Sequence, residues 1–218
     1  MHVVIFAGGT VRSGKAMQVA LTTANLVIAA DSGAITALQY GYVPAIIVGD
    51  FDSLNTPALQ QLQQQGSQLI QAPVEKNETD TELAIQVALE QGATAITLLG
   101  ALGGTRFEHT IANILLLVGF ETVPIRIIDG PSTCWLLRGP GRSLLSGQVG
   151  DLLSLFPLTA DATGVQTKGL YYPLHKETLY FGKPRGVSNV LTQEQAEISL
   201  ETGLLLIIHT TTQEFDTE

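Results

Sequence analysis

Ala45-Ile46-Ile47-Val48-Gly49-Asp50-Phe51-Asp52-Ser53 is the stretch on which the fold turns. Its unbroken apolar run, rich in β-branched residues, has no polar alternation, as in a strand covered on both faces of a sheet. Gly49 then lets the chain turn, and two carboxylates follow with one residue between them. In open α/β sheets ligands collect outside the carboxyl ends of strands, and a hard cation such as Mg²⁺ takes one or two carboxylates together with phosphate oxygens. Asp and Ser are also turn formers, so a plain polar turn explains the same residues.

The neighbouring segments repeat this plan. His2–Ala7 reads as a buried strand running into Gly8-Gly9, and Asn25–Ala30 as another that delivers Asp31-Ser32-Gly33. Residues 35–40 read as a helix with Gly41 as its C-cap, and a Gln-rich helix starts at Thr56-Pro57, with Thr56 as the expected N-cap and the glutamines as a solvated face. A short strand over Gln68–Gln71 leads to Glu75-Lys76-Asn77-Glu78-Thr79-Asp80-Thr81-Glu82 and a helix ending at Gly92. Acids in a first helical turn are favourable with the dipole, so capping alone accounts for Glu78, Asp80 and Glu82. Ala95–Leu99 reads as a strand closing on Gly100-Ala101-Leu102-Gly103-Gly104-Thr105-Arg106-Phe107-Glu108-His109. The helix after it, about 108–120, is expected to bury Ile111, Ile114, Leu115 and Val118. Glycines let a backbone approach phosphates, Arg106 offers a forked donor, and His109 reads equally well as a helix-start residue.

Gly9-Thr10-Val11-Arg12-Ser13-Gly14-Lys15 matches seven positions of a P-loop. The eighth is Ala16, where a hydroxyl is needed for Mg²⁺, and Gly49 separates the apolar run from Asp50 where a Walker B strand would not.

Alternating strands and helices imply βαβ units, hence a three-layer, mainly parallel α/β domain over residues 1–128. After Asp129 the helical period disappears. Gly130-Pro131, Gly139-Pro140-Gly141 and Gly147 punctuate β-rich pieces, and Val149–Phe156, Val165–Leu174, Thr178–Phe181 and Leu204–His209 read as strands. Residues 129–218 are therefore expected to form an all-β sandwich whose edges favour pairing with a second copy, with Trp135 in its core.

Composition narrows the classes. With 45% hydrophobic and 14% charged residues the chain is globular. A net charge of −9 argues against a general nucleic-acid or anionic-membrane surface. Cys134 is the sole cysteine, which excludes an internal disulfide and a Cys-based metal site. His2–Ala7 is too short for a signal-peptide core, and no run reaches membrane-spanning length, so a cytoplasmic location is expected.

Taken in order, Ala30-Asp31-Ser32-Gly33-Ala34, Gly49-Asp50-Phe51-Asp52-Ser53, Thr79-Asp80, the Gly103–His109 loop and Gly186-Val187-Ser188-Asn189 resemble the thiamine pyrophosphokinase family over nearly the whole chain. The resemblance implies a homodimer that moves a pyrophosphoryl group from ATP to the hydroxyl of thiamine, giving AMP and thiamine diphosphate. It implies that Asp31, Asp50, Asp52 and Asp80 hold Mg²⁺, with Asp50, Asp52 and Asp80 acting in catalysis. Gly8, Gly9, Gly103, Gly104, Arg106 and His109 would line the nucleotide. Tyr172, Ser188 and Asn189 would take thiamine, and if they reach the acids only across a dimer, the dimer is required for activity. Two positions depart from the family pattern: Asn77 stands where a second Asp is common, and the glycine loop carries an extra residue and Glu108 for Asp. Another nucleotide-dependent kinase of a small alcohol, or a nucleotide-sensing protein without catalysis, would share many of these features.

Overall fold

The computed structural model describes residues 1–212. The chain divides into two compact units, Met1–Gly130 and a second beginning at Pro131.

The first unit contains strands β1 (His2–Phe6), β2 (Leu26–Ala30), β3 (Ile46–Gly49), β4 (Gln68–Gln71), β5 (Ala95–Leu99) and β6 (Ile125–Asp129). Between them run helices α1 (Lys15–Thr22), α2 (Gly33–Gln39), α3 (Thr56–Gln64), α4 (Asp80–Glu90) and α5 (Phe107–Gly119). The strands lie side by side as β6-β5-β1-β2-β3-β4, and every pairing is parallel. The opening stretch supplies β3, whose four residues are all buried, as a strand covered on both faces requires. One face carries Val4, Phe6, Ala29, Ile47 and Leu99, packed with Met17 and Leu21 of α1, Ala34 and Ala37 of α2, and Leu62 of α3. The other face is covered by α4, which packs on β1, β2 and β3. Burying side chains as large as Phe6, Ile28 and Ile47 contributes about 1.5–3 kcal/mol each, which is what holds three layers together.

Winding β1 to β4 in one direction and β5, β6 in the other leaves a switch point between β1 and β5. Ligands in such sheets sit outside the strand ends at that point.

Two helix details differ from the sequence reading. The N-cap of α3 is Asn55, whose Oδ1 accepts from Ala58 N at 2.9 Å, and Thr56 is already helical. In α5 the buried residues are Asn113 and Leu117, while Ile111 and Leu115 are exposed together with Phe107. The helix is apolar nearly all round, so periodicity could not choose the buried face.

The second unit is all-β: β7 (Ser132–Arg138), β8 (Gly141–Ser146), β9 (Leu152–Pro157), β10 (Asp161–Lys168), β11 (Glu177–Tyr180), β12 (Gly186–Val190), β13 (Gln195–Leu200) and β14 (Leu204–Thr210). One antiparallel layer runs β12-β9-β14-β7 and the other β11-β10-β13-β8. Leu153, Leu155, Leu205 and Ile207 from the first meet Val165, Leu179, Ile198 and Leu200 from the second in one core, which makes the unit a sandwich. Trp135 is half-buried against that core and donates its indole N–H to Ser143 Oγ at 3.1 Å. The expected strand Val165–Leu174 stops at Lys168, because Gly169 turns the chain with φ +77°. Among the described residues no helix is long and apolar enough to cross a membrane.

Candidate active site

Parallel strands deliver their carboxyl ends to one edge, and the acids at those ends are what the first unit places there. Asp31 follows β2 with φ +45°, and Phe51, between the two acids after β3, has φ +64°. A bulky residue in that region is strained, and strain of this kind persists where the surroundings fix it. The ends of β2 and β3 lie close: Asp31 N donates to Val48 O at 2.8 Å, and a Cβ on Gly49 would stand 3.0 Å from Asp31 Cβ. Glycine at position 49 thus lets the two acid-bearing turns approach. Asp50 Oδ1 accepts from Asp52 N at 3.1 Å, which sets the second turn.

Carboxylate oxygens of Asp31, Asp50 and Asp52 all lie within 4.8 Å of one another. Ser53 Oγ donates to Asp31 Oδ2, but Asp31 Oδ1 is buried with no hydrogen-bond partner. Burial pushes the Asp31 carboxyl above its ordinary 3.8; the bonds from Ser53 and the Ser32 backbone oppose this, and the charges of Asp80 and Asp52 add to it. An orphaned carboxylate oxygen beside two more carboxylates is the donor set of a hard divalent cation, so the residues fit Mg²⁺.

Asp80 opens α4, capped by Thr79 Oγ1, which accepts from Glu82 N at 3.2 Å. It falls outside the three-acid cluster, and Lys76 Nζ lies 3.0 Å from Asp80 Oδ1 and 3.8 Å from Asp50 Oδ2. The Asp80 contact is an ion pair outside hydrogen-bond geometry, so Asp80 Oδ1 is also buried without a hydrogen-bond partner. Burial alone would lower the Lys76 ammonium, but its contact with Asp80 and the charges of Asp80, Asp50 and Asp31 hold it above 10.5. Sequence reasoning missed Lys76; the available signal was a basic residue amid acids in a chain with only 11 Lys and Arg.

These acids form one wall of a cavity of about 350 Å³. The facing wall comes from the glycine turns at the switch point: Gly8, Gly9, Gly103, Gly104, Arg106 and His109 line it, together with Asn113, which ties α5 to Ala101 O at 2.9 Å. Lys15 is not among the lining residues, and neither are Glu75, Asn77 or Glu78.

A separate cavity of about 570 Å³ lies in the second unit, lined by Leu153, Leu170, Tyr171, Tyr172, His175 and Asn189 among others. Asn189 Oδ1 accepts from Tyr172 N at 3.0 Å and Val190 N at 2.9 Å, and Nδ2 donates to Tyr172 O at 2.7 Å. Its amide therefore sets Tyr172 and keeps one N–H uncommitted. Ser188 is outside this lining; it has φ +57°, with its backbone N–H on Ser154 Oγ.

The family model described as "Thiamin pyrophosphokinase, catalytic domain" matches residues 17–128, and that described as "Thiamin pyrophosphokinase, vitamin B1 binding domain" matches residues 144–205. The chain belongs to the thiamin pyrophosphokinase family. It is 29% identical over 186 residues to a thiamine pyrophosphokinase of Bacillus subtilis, covering 84% of this chain and 86% of the relative. The crystal structure of thiamine pyrophosphokinase from that organism superposes with a TM-score of 0.85 at 28% identity, over 97% of this chain and all of the other. A thiamin pyrophosphokinase from Geobacillus thermodenitrificans gives 0.82 at 27%, covering 97% of this chain and 98% of that one. Against the thiamin pyrophosphokinase pattern, Glu108 replaces Asp and grips Arg106, whose Nε donates to Glu108 Oε1 at 2.9 Å. The guanidinium holds the Glu108 carboxyl below its ordinary range, yet both side chains are exposed, so the pair is a weak restraint on an Arg that still lines the cavity.

Proposed function

We infer that the protein transfers a pyrophosphoryl group from ATP to the hydroxyl of thiamine, releasing AMP. Membership of the family is supported by the cavity in the first unit: a cluster of acids faces a glycine-lined wall, and Asp31 Oδ1 is left without a partner. Residues 1–128 are assigned to nucleotide binding and catalysis, and residues 129–218 to thiamine.

Asp31, Asp50 and Asp52 would hold Mg²⁺, with Asp80 at their side. When bound, the ion supplies charge neutralisation across the phosphate oxygens. Gly8, Gly9, Gly103 and Gly104 offer backbone that comes close to phosphates, and Arg106 and His109 add donors. The hydroxyl oxygen attacks the β-phosphorus, the bond from that phosphorus to the α-phosphate oxygen breaks, and AMP leaves; the hydroxyl proton passes to a carboxylate of the cluster. Little covalent work is asked of the protein, so alignment and charge carry the rate. The face of Tyr172 suits a flat cationic heterocycle, with Asn189 as a polar partner; Ser188, outside the lining of that cavity, is the weaker part of the expected set. A homodimer in which one copy supplies the acceptor to the other is the proposed assembly, with a cytoplasmic location.

Incubation with ATP, Mg²⁺ and thiamine should yield AMP and thiamine diphosphate in equal amounts. Release of ADP instead would point to an ordinary small-alcohol kinase, and ATP binding without turnover to a sensor; either result removes the proposal.

A further inference from the structure

One acid at the carboxyl edge of the sheet takes no part in the cavity. Asp129 ends β6 as Asp31 and Asp50 follow β2 and β3, but it is buried and turned to Arg12, whose Nε donates to Asp129 Oδ1 at 3.0 Å and whose Nη2 donates to Oδ2. Such forked pairs fix direction as well as distance. Gly130 N donates to Arg12 O at 3.2 Å, and Tyr40 Oη donates to Val11 O at 3.3 Å. These ties hold the later half of residues 7–14, the connection between β1 and α1, which has no secondary structure of its own; its start is held by Ala7 N on Leu99 O at 2.8 Å and Gly9 N on Gly100 O at 3.1 Å.

That connection is half of the glycine wall. A Cβ on Gly9 would stand 2.1 Å from Gly103 O and 2.4 Å from Gly100 O, and one on Gly103 would stand 2.5 Å from Thr10 O. The two turns are therefore in backbone contact, and displacing Thr10 displaces Gly103. Gly8 and Gly9 line the acidic cavity, and Gly8, Gly9, Thr10 and Val11 line an adjoining opening of about 440 Å³ with Thr36 and Tyr40. Neither Arg12 nor Asp129 lines either space.

The geometry points to Arg12 and Asp129 as a positioning pair that holds the Gly8–Val11 turn in the shape the nucleotide requires; this rests on reading the acidic cavity as the nucleotide site. The pair lies outside the lining of both spaces, so its effect passes through the turn. It acts on ATP affinity and leaves the reacting groups where they are.

The test compares the wild-type protein with Asp129→Asn, which keeps the shape of the side chain, and Arg12→Lys, which keeps the cation but not the fork. Steady-state kinetics, calorimetric binding of a non-hydrolysable ATP analogue and thermal unfolding are measured for each. KM for ATP and the analogue Kd should rise by about tenfold in Asp129→Asn and by less in Arg12→Lys, as expected for losing a charge-assisted bond at a half-exposed pair. The kcat should stay within about threefold and KM for thiamine should not move, because the acids and the acceptor cavity are untouched. If Asp129→Asn fails to fold, Arg12→Lys carries the same comparison with the buried carboxylate still paired. Unchanged analogue affinity in folded variants, or a fall in kcat with KM for ATP unmoved, overturns the positioning role alone. A wild-type protein that binds no ATP overturns the nucleotide reading and the positioning role with it.

Discussion

Replacing Asp31 with Asn should stabilise the metal-free protein and abolish its activity, two effects of opposite sign from one oxygen atom. Asp31 Oδ1 is buried, has no hydrogen-bond partner and lies among the oxygens of Asp50 and Asp52. Its carboxyl is held above 3.8 in the fold, chiefly by burial. A raised acid contributes stability that is full below 3.8 and is lost as the pH rises through the folded value, so at neutral pH the ionised group is a net cost. Asn removes that charge; its amide oxygen can accept from Ser53, and its NH₂ then faces the remaining carboxylates. Relief of one buried unsatisfied polar group amounts to about 1–3 kcal/mol. For a unit of this size each kcal/mol moves the unfolding midpoint by about 3–5 °C. The assay is thermal unfolding in EDTA across pH, followed by titration with Mg²⁺. The variant should unfold several degrees above wild type at pH 7, the gap should close toward pH 4, and Mg²⁺ should raise only the wild-type midpoint. A variant less stable than wild type in EDTA, or one that Mg²⁺ stabilises equally, would refute the assignment of that oxygen to a cation.

Asp52 is exposed, so Asp52→Asn should lower kcat by about 10²-fold or more while the midpoint moves by less than about 2 °C, read by AMP release and calorimetry. Lys15→Ala should change KM for ATP by less than about threefold, whereas a P-loop lysine would be indispensable. Asn55→Ala should cost about 1 kcal/mol in urea unfolding and Thr56→Ala less than about 0.5 kcal/mol, with activity retained in both, because Asn55 caps α3. If the acceptor comes from a second copy, mixing inactive Asp52→Asn with inactive Tyr172→Ala should restore activity up to about a quarter of wild type, since half the dimers are mixed and each has one intact site. No recovery after exchange of subunits would count against the shared site.

How much of this was legible in the sequence depended on whether a residue's environment was set locally. The runs that became β1, β2, β3 and β5 are apolar without alternation because both faces are covered, and a glycine or acid marks where each stops. Asp31, Asp50, Asp52 and Asp80, with the glycines and Arg106, line one cavity because parallel strands put all such ends on one edge. What failed, the cap of α3 apart, was decided at a distance. The outward face of α5 could not be told from its inward face by period, since both are apolar. The N-cap of α3 lay one residue earlier than Thr56, where Asn and Thr compete for the same position. Arg12 was invisible as a partner because Asp129 reaches it only after the sheet has formed, and so was the contact of Lys76 with Asp50; its contact with Asp80, four residues on, was local and legible.

The order β6-β5-β1-β2-β3-β4 also sets a sequence of events in time. Val3 meets Leu26 on one flank, a contact made soon after both are synthesised, but it meets Ile96 on the other, after most of the unit has emerged. All four acids lie on the chain before β5, whereas the turn bearing Gly103 follows it. The acids and the Gly8-Gly9 half of the glycine wall can therefore gather while the Gly103-Gly104 half is still absent, and a central strand waits with one edge unpaired. Long-range parallel pairing of this kind is slow, and an open edge invites the wrong neighbour. In this protein the docking of β5 against β1 both closes that open edge and brings the second glycine turn to the cavity of the first unit, while β6 can pair only afterwards, on β5.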